Sequence, residues 1–232
     1  MDGGAAVVGC QTAAMVTMSD IYPVLGLRIR EGDLELRGLT DDDLVLLGEL
    51  AQRGVHAPEQ MPFYHPWTDA PVAEIPLGMA QYHWSQRASF SPARWSLDLG
   101  VWVGGELVGT QGFGTHDYLV TRTGETGSWL GIGHQGRGIG TRMRQAICAF
   151  AFDHLDAVEI TSGAFLDNPA SIAVSHKVGY VDNGITRKKR RGEEVAEHLA
   201  LRLTRETFVR GEPIEVEGAA PLRRLMGLPE RG

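Results

Sequence analysis

Between Trp129 and Thr141 the chain reads W-L-G-I-G-H-Q-G-R-G-I-G-T, with five glycines in the ten residues from Gly131 to Gly140. Immediately afterwards Met143, Ala146, Ile147 and Phe150 recur at i, i+3, i+4 and i+7, one apolar stripe of a helix. A glycine-rich turn that opens a helix has a plain chemical use. The first N–H groups of the helix lack intrahelical partners, they lie at the positive end of its dipole, and glycine lets an anion reach the backbone. A phosphate is the expected ligand, with Arg137 and Arg142 as neighbouring cations.

Three phosphate patterns compete. The nucleoside-triphosphate loop requires Lys-Ser or Lys-Thr after the glycines, and neither is present. The dinucleotide pattern G-x-G-x-x-G is met formally at Gly131, Gly133 and Gly136, with Asp156 about 20 residues on. The third reading, Q-x-x-G-x-G at Gln135, Gly138 and Gly140, resembles the acyl-CoA pyrophosphate loop of the GNAT superfamily of N-acyltransferases. Two further stretches support this third reading. D-N-P-A-S-I-A-V-S-H-K-V-G-Y, Asp167 to Tyr180, resembles the N-x-x-S…K-x-G-[FY] segment of the branch that includes the ribosomal-protein N-terminal acetyltransferases. L-E-L-R-G-L-T-D-D-D-L-V-L-L, Leu34 to Leu47, resembles that branch's opening strand and helix. Together the segments cover residues 27 to 205 in the expected order. The runs from Gly54 to Thr68 and from Thr126 to Gly131 resemble a bacterial subgroup, some relatives of which use succinyl-CoA.

The resemblance implies direct acyl transfer from acetyl-CoA or succinyl-CoA to a primary amine of a small molecule or a protein N-terminus. It assigns the donor to Trp129, Leu130, Gly131, Gln135, Gly136, Arg137, Gly138, Ile139, Gly140, Thr141, Asn168 and Ser171. In this family the pantetheine arm lies where two parallel strands splay, which puts Trp129 to Gly131 beside it; Trp129 as a plain core aromatic is the competing reading. Ser171 would protonate the departing thiolate, with Tyr180 as a second candidate acid, and Lys177 either reaches the phosphates or faces solvent. Glu125, on the same strand face as Trp129, is the leading base; Asp98, His116 and Asp117 compete with it. No spacing suggests a covalent nucleophile or a metal site. A non-catalytic acyl-CoA-binding protein remains the alternative, and a dinucleotide-binding oxidoreductase a distant third.

The formal charge of −7 argues against general binding to nucleic acid or anionic membrane, and it suits a basic acceptor. No apolar run reaches membrane-spanning length, and residues 1–20 lack a signal-peptide pattern, so a cytoplasmic protein is expected. Cys148 falls in an apolar helix and reads as core. A homo-oligomer, a dimer by family habit, is expected.

The elements that must hold this chemistry read as one mixed α+β domain, a mostly antiparallel twisted sheet with one parallel βαβ unit and helices on both faces. Residues 1–24 read as a flexible arm, 25–209 as the acyltransferase domain, and 210–232 as a tail, docked on a partner subunit if anywhere. Glu31 to Asp33 is a turn between short strands, and Thr40 with Asp43 approximates a capping box for a helix ending near Gly54. Five prolines between Val55 and Pro76 exclude a long helix or a central strand there, yet Met61, Phe63, Tyr64 and Trp67 imply a loop that is packed down. A helix is expected over 75–87, and 95–103 alternates as a half-buried strand. Gly104-Gly105-Glu106 turns into a strand over 107–114; 116–124 is a polar connection; 125–130 is the strand feeding the glycines. A parallel strand at 158–162, a helix capped by Asn168-Pro169 and ended by Gly179, and a hairpin of 185–191 with 195–203 complete the domain.

Overall fold

The computed structural model describes residues 15–230. In chain order its elements are α1 (Met18–Ile21), β1 (Arg28–Glu31), β2 (Leu34–Gly38), α2 (Asp41–Gln52), α3 (Ile75–Ala88), β3 (Arg94–Val103), β4 (Glu106–His116), α4 (Tyr118–Thr121), β5 (Thr123–Leu130), α5 (Ile139–His154), β6 (Glu159–Phe165), α6 (Pro169–Val178), β7 (Val181–Lys189), β8 (Val195–Thr204), β9 (Glu215–Glu217) and α7 (Ala219–Leu225).

Local chemistry sets most of these boundaries. Thr40 Oγ1 accepts from the N–H of Asp43 at 3.2 Å and the Asp43 carboxylate accepts from the N–H of Thr40 at 2.9 Å, so the shorter acid still closes the capping box of α2. Gly104 and Gly105, both with positive φ, turn β3 into β4. Asn168 caps α6, Pro169 occupies its first position, and Gly179 ends it at φ 99°.

The nine strands among the described residues form one sheet in the order β7-β8-β6-β5-β4-β3-β2-β1-β9. Only β5 and β6 run parallel, and they pair over just three residues, Thr123 to Glu125 against Glu159 to Thr161. The mixed α+β architecture is therefore the expected one. Strand parity divides two apolar layers. Trp95, Leu97, Leu99 and Val101 of β3 pack with Met143, Ile147 and Phe150 of α5. The opposite face offers Trp102 and Leu107 to Leu44, Leu47 and Leu50 of α2 and to Ile75 and Met79 of α3. Burying this many branched side chains on two faces at about 25 cal/mol per Å² supplies the main stabilising term. No helix among the described residues is long and apolar enough to cross a membrane.

Three stretches differ from the expectation. Residues 1–14 of the expected arm lie outside the described residues, but 18–26 form α1 and a 3₁₀ turn that buries Val24. The polar connection 116–124 contains α4, whose Tyr118 is fully buried and donates to the carbonyl of Leu155 at 3.2 Å. The segment after 209 packs on its own chain. Val216 of β9 pairs with Ile29 at the sheet edge, and Leu222, Met226 and Leu228 enter the main core. Its apolar residues are too few and too widely spaced to show a period, since β9 has only three residues and α7 seven.

Leu222→Ala is expected to lower the free energy of unfolding in urea by about 2–5 kcal/mol. Val181→Ala, at a 43% exposed site, should stay within about 0.5 kcal/mol. Equal, near-zero effects would mean that the last segment is not part of the core.

Candidate active site

The turn between β5 and α5 is a loaded loop. A 3₁₀ turn over Ile132–His134 leads into Gly136 at φ 73° and Gly138 at φ 80°. A Cβ at either would meet nothing within 4 Å, so glycine is needed there for backbone conformation and not for space inside the protein. The consequence is a run of unpaired backbone donors. Among the described residues, the N–H groups of Gly136, Arg137, Gly138, Ile139 and Gly140 have no backbone acceptor, and they sit at the start of a 16-residue helix. This is a cradle for an anion, and a pyrophosphate fits it.

The neighbours of the loop do different jobs. Arg137 is exposed and makes no ion pair among the described residues. Arg142, expected beside a phosphate, is instead committed to the β1–β2 hairpin, with Nε 3.0 Å from Glu31 Oε1 and a terminal nitrogen 2.8 Å from Asp33 Oδ1. That pairing holds the Asp33 carboxyl below its usual range. The Gln135 side chain is a clamp: its Nε2 donates to the carbonyls of Val55 at 2.7 Å and Leu130 at 2.9 Å. Leu130 is buried in the core, and a Cβ on Gly131 would come within 2.6 Å of Leu50. Thr141 is half-buried, its N–H turned back to the carbonyl of Gly138.

Beyond Glu125 and Thr161 strands β5 and β6 part. Each keeps its outer partner: β4 follows β5 to Leu130, and β8 follows β6 to Phe165. Their inner edges, from Thr126 and from Ser162 onward, thus border a gap that opens towards the glycine turn. Such an edge must be satisfied by something else, and an extended amide-bearing arm matches it. At the C-terminal end of β6 the Asn168 Oδ1 accepts from the N–H of Ser171 at 3.2 Å. The half-buried Ser171 hydroxyl has no hydrogen-bond partner among the described residues. Lys177 is exposed.

On the α3 side of the sheet lies a cleft of about 1090 Å³. Its floor is made by Ser96 and Asp98 of β3, Gly112 and Gly114 of β4, and Glu125 and Gly127 of β5. Register puts Asp98 opposite Gly112, and Gly112 opposite Gly127. A Cβ at Gly112 would stand 3.3 Å from Asp98 Oδ1, so the glycine there leaves room beside the carboxyl. The phenol of Tyr82 donates to Asp98 Oδ1 at 3.2 Å, while Oδ2 is buried with no partner. Burial pushes the Asp98 carboxyl up, despite the bonds from Ser96 and Tyr82, and pushes the Tyr82 phenol up as well. His83, on the same wall, is held neutral by burial with its pKa lowered to about 4. Glu125 lines the cleft but is exposed, as is His116 at the end of β4; Asp117 turns the chain into α4 at φ 53°. Tyr180 is a core residue, 2.8 Å from Thr126 Oγ1 and 3.4 Å from Cys148 Sγ.

The proline-rich segment forms the roof. Trp129 of β5 packs on Trp67 with ring centres 5.6 Å apart, and Trp67 on Phe63 at 5.2 Å. Three cations of the β7–β8 hairpin strap this roof down. Arg191 grips Asp69 at 2.6 and 2.7 Å, Arg190 reaches the carbonyl of Met61 at 3.3 Å, and Lys188 lies 5.3 Å over the Tyr64 ring. These straps join positions more than 120 residues apart, so nothing local in the sequence announces them. The signal for Asp98 was local: it falls on the polar phase of an alternating strand, opposite a strand that spells G-x-G.

Comparisons with known proteins agree with this geometry. Residues 33–181, more than half of the chain, match the family model described as an acetyltransferase (GNAT) domain. Solved structures of the same fold include a putative ribosomal-protein-serine acetyltransferase from Vibrio cholerae, at 20% identity and a TM-score of 0.59, with 76% of this chain and 97% of that one covered. RimJ of Mycobacterium smegmatis, in complex with a CoA-disulfide, is 19% identical with a TM-score of 0.58, covering 86% of this chain and 92% of its own. RimL, a ribosomal alpha-N-protein acetyltransferase in complex with coenzyme A, is 17% identical with a TM-score of 0.60, covering 75% and 95%. At these identities the likeness is one of fold.

The raised Asp98 pKa has a consequence for stability with a definite sign. The folded chain binds this proton more tightly than the unfolded chain, whose carboxyl titrates near 3.9. Stability therefore falls as pH rises through the interval between the two values, and is flat above it. In Asp98→Asn that penalty is absent. Urea unfolding from acid to neutral pH should show the variant gaining on the wild type as pH rises; a constant difference would show that Asp98 is not desolvated.

Proposed function

We propose an acceptor class and residue roles for a chain that belongs to the acetyltransferase (GNAT) domain family and is an acyl-CoA-dependent N-acyltransferase. The acceptor is a cationic primary amine on an apolar body, either a small molecule or a peptide N-terminus. One observation supports this most directly: a roofed cleft joins a half-buried carboxyl, one of its oxygens fully buried, to the parting of β5 and β6. Its aromatic walls suit an ammonium group and the apolar atoms behind it, and its floor carboxyls, Asp98 and Glu125, complement the charge. RimL is a ribosomal alpha-N-protein acetyltransferase, in keeping with a peptide amine as one member of the class.

The donor is acetyl-CoA or succinyl-CoA. The N–H run from Gly136 to Gly140 binds its pyrophosphate, with Arg137 adding charge. Trp129 to Gly131 and the free edge of β5 flank the pantetheine arm, Asn168 offers its amide N–H₂ to it, and the Ser171 hydroxyl is the proton source for sulfur. Asp98 replaces Glu125 as the base. Burial pushes the Asp98 carboxyl up, which strengthens it as a proton acceptor, whereas Glu125 is exposed to solvent. CoA supplies an activated acyl group; the chain's own residues anchor it, strip water from the amine, and move its protons.

Two measurements test this reading. Gly138→Val should weaken CoA binding at least tenfold in calorimetry, since a β-branched residue resists positive φ, with the variant still folded and at most modestly destabilised; unchanged affinity would remove the loop from the donor site. Acetyl-CoA and succinyl-CoA titrated side by side, with NADH as control, identify the acyl group. In kinetics with a primary amine, Asp98→Asn should reduce kcat/KM by roughly 10²–10⁴ and abolish the acid limb of the pH profile. Glu125→Gln should retain that limb, and the reverse pattern would return the base to Glu125.

A further inference from the structure

Arg144 is the most unusual charge in the molecule. It projects from the second turn of α5 and is 3% exposed, yet among the described residues it forms no ion pair with any carboxylate. Its partners are all hydroxyls: Ser128 Oγ at 2.9 Å, Ser162 Oγ at 3.2 Å and Ser175 Oγ at 3.5 Å. Its Nε is buried with no partner. A buried cation with neutral partners costs several kcal/mol by any reasonable estimate, and a methionine of similar length would pack there without that cost. The position of the guanidinium suggests what it is for.

Ser128 belongs to β5 and Ser162 to β6, on the two sides of the gap where those strands part. Ser162 Oγ also donates across the gap to the carbonyl of Thr126 at 3.2 Å. On α6, Ser175 donates to the main-chain carbonyl of Ser171 at 3.1 Å, so the guanidinium is tied through one hydroxyl to the backbone of the residue that carries the proposed proton source. The other titratable groups around Arg144 supply no negative charge. Tyr180, whose ring lies 6.0 Å from the guanidinium, and Cys148 are kept neutral by burial. Glu125 points to the opposite face of β5 from Ser128, Glu159 pairs with Arg202 at the far end of β6, and His176 of α6 pairs with Asp182.

We propose that Arg144 is a positioning residue that places a buried positive charge behind the sulfur end of the acyl donor and stabilises the thiolate as it leaves. This rests on the donor lying in the β5–β6 gap. In the transfer the nitrogen–carbonyl bond forms and the carbon–sulfur bond breaks, its electron pair passing to sulfur. One proton of the acceptor ammonium leaves through the base to solvent, and a second ends on sulfur. Negative charge at sulfur is thus transient, and a fixed cation in a water-poor gap serves it without reorganisation. Hydroxyl partners suit this role, because a carboxylate partner would neutralise the field at the sulfur.

The test needs no acceptor and no turnover. Free CoA bound to the protein is titrated through the ultraviolet absorbance of its thiolate. The thiol should ionise at lower pH when bound to the wild type than when free. In Arg144→Met, and in Arg144→Gln, which retains polar contacts with the serines, the acid dissociation constant should fall at least tenfold relative to the wild-type complex. Arg144→Lys should recover most of the shift. Bound CoA that titrates identically in the wild type and a charge-removing variant overturns the proposal. If both of those variants unfold, a wild-type complex whose thiol titrates like free CoA overturns it equally. If the wild type does not bind CoA at all, the donor reading itself fails, and that result is distinct from the others.

Discussion

Two parallel strands that stop pairing halfway impose the central constraint on this molecule. After Glu125 and Thr161 the inner edges of β5 and β6 give up their mutual hydrogen bonds, and unpaired backbone groups in a protein interior are costly. The outer partners β4 and β8 hold each strand straight through the opening, so the gap cannot simply close. Everything distinctive about the site is built around that opening. The glycine turn and the start of α5 stand where β5 leaves it, α6 starts where β6 leaves it, and serines from both strands reach into it. The fold thereby converts a defect in a sheet into a slot for a linear, amide-bearing molecule with an anion at one end.

How much of this could be read from the sequence depended on how local the cause was. The positive φ of Gly136 and Gly138, the cap at Asn168 and the stop at Gly179 are decided within a few residues, and the sequence states them openly. The expected elements of the central sheet were legible for the same reason, through alternation and turn residues. Contacts between distant segments left weaker traces. Arg190 and Arg191 look like part of a solvated basic run, and only the folded hairpin reveals that they strap down a roof lying more than 120 residues earlier. Gln135 fits a ligand-binding pattern, yet its amide is spent on two carbonyls of its own chain. Arg142 stands beside the turn in sequence but pairs with the β1–β2 hairpin. Proximity in sequence to an anion site is a poor guide to which cation serves it, because long side chains reach several ångströms and take the strongest carboxylate available.

The choice of base illustrates the same point through solvation. Glu125 and Asp98 share a face of the sheet and line one cleft, so pattern alone favoured the residue nearer the glycine turn. What separates them is water. Glu125 stands exposed, whereas Asp98 is half-buried beside Gly112, with one carboxylate oxygen buried and unpartnered and the carboxyl pushed up by burial. Burial is a property of the assembled neighbours, including Tyr82 from α3 and the roof over the cleft, and no periodicity in β3 encodes it.

Charge is distributed across the two faces of the sheet in a way that suits a reaction creating opposite needs on its two sides. The cleft face presents carboxyls and aromatic rings, which would favour an incoming ammonium and, in the proposed reaction, receive a proton from it. The other face holds a guanidinium with no carboxylate near it, under the gap in which the donor's sulfur would come to rest. An ion pair between these groups would be cheaper for folding, since each charge would then offset the desolvation of the other. The sheet keeps them apart. The opening between β5 and β6 lies between those two charged regions, with Ser128 and Ser162 on its two sides holding the guanidinium.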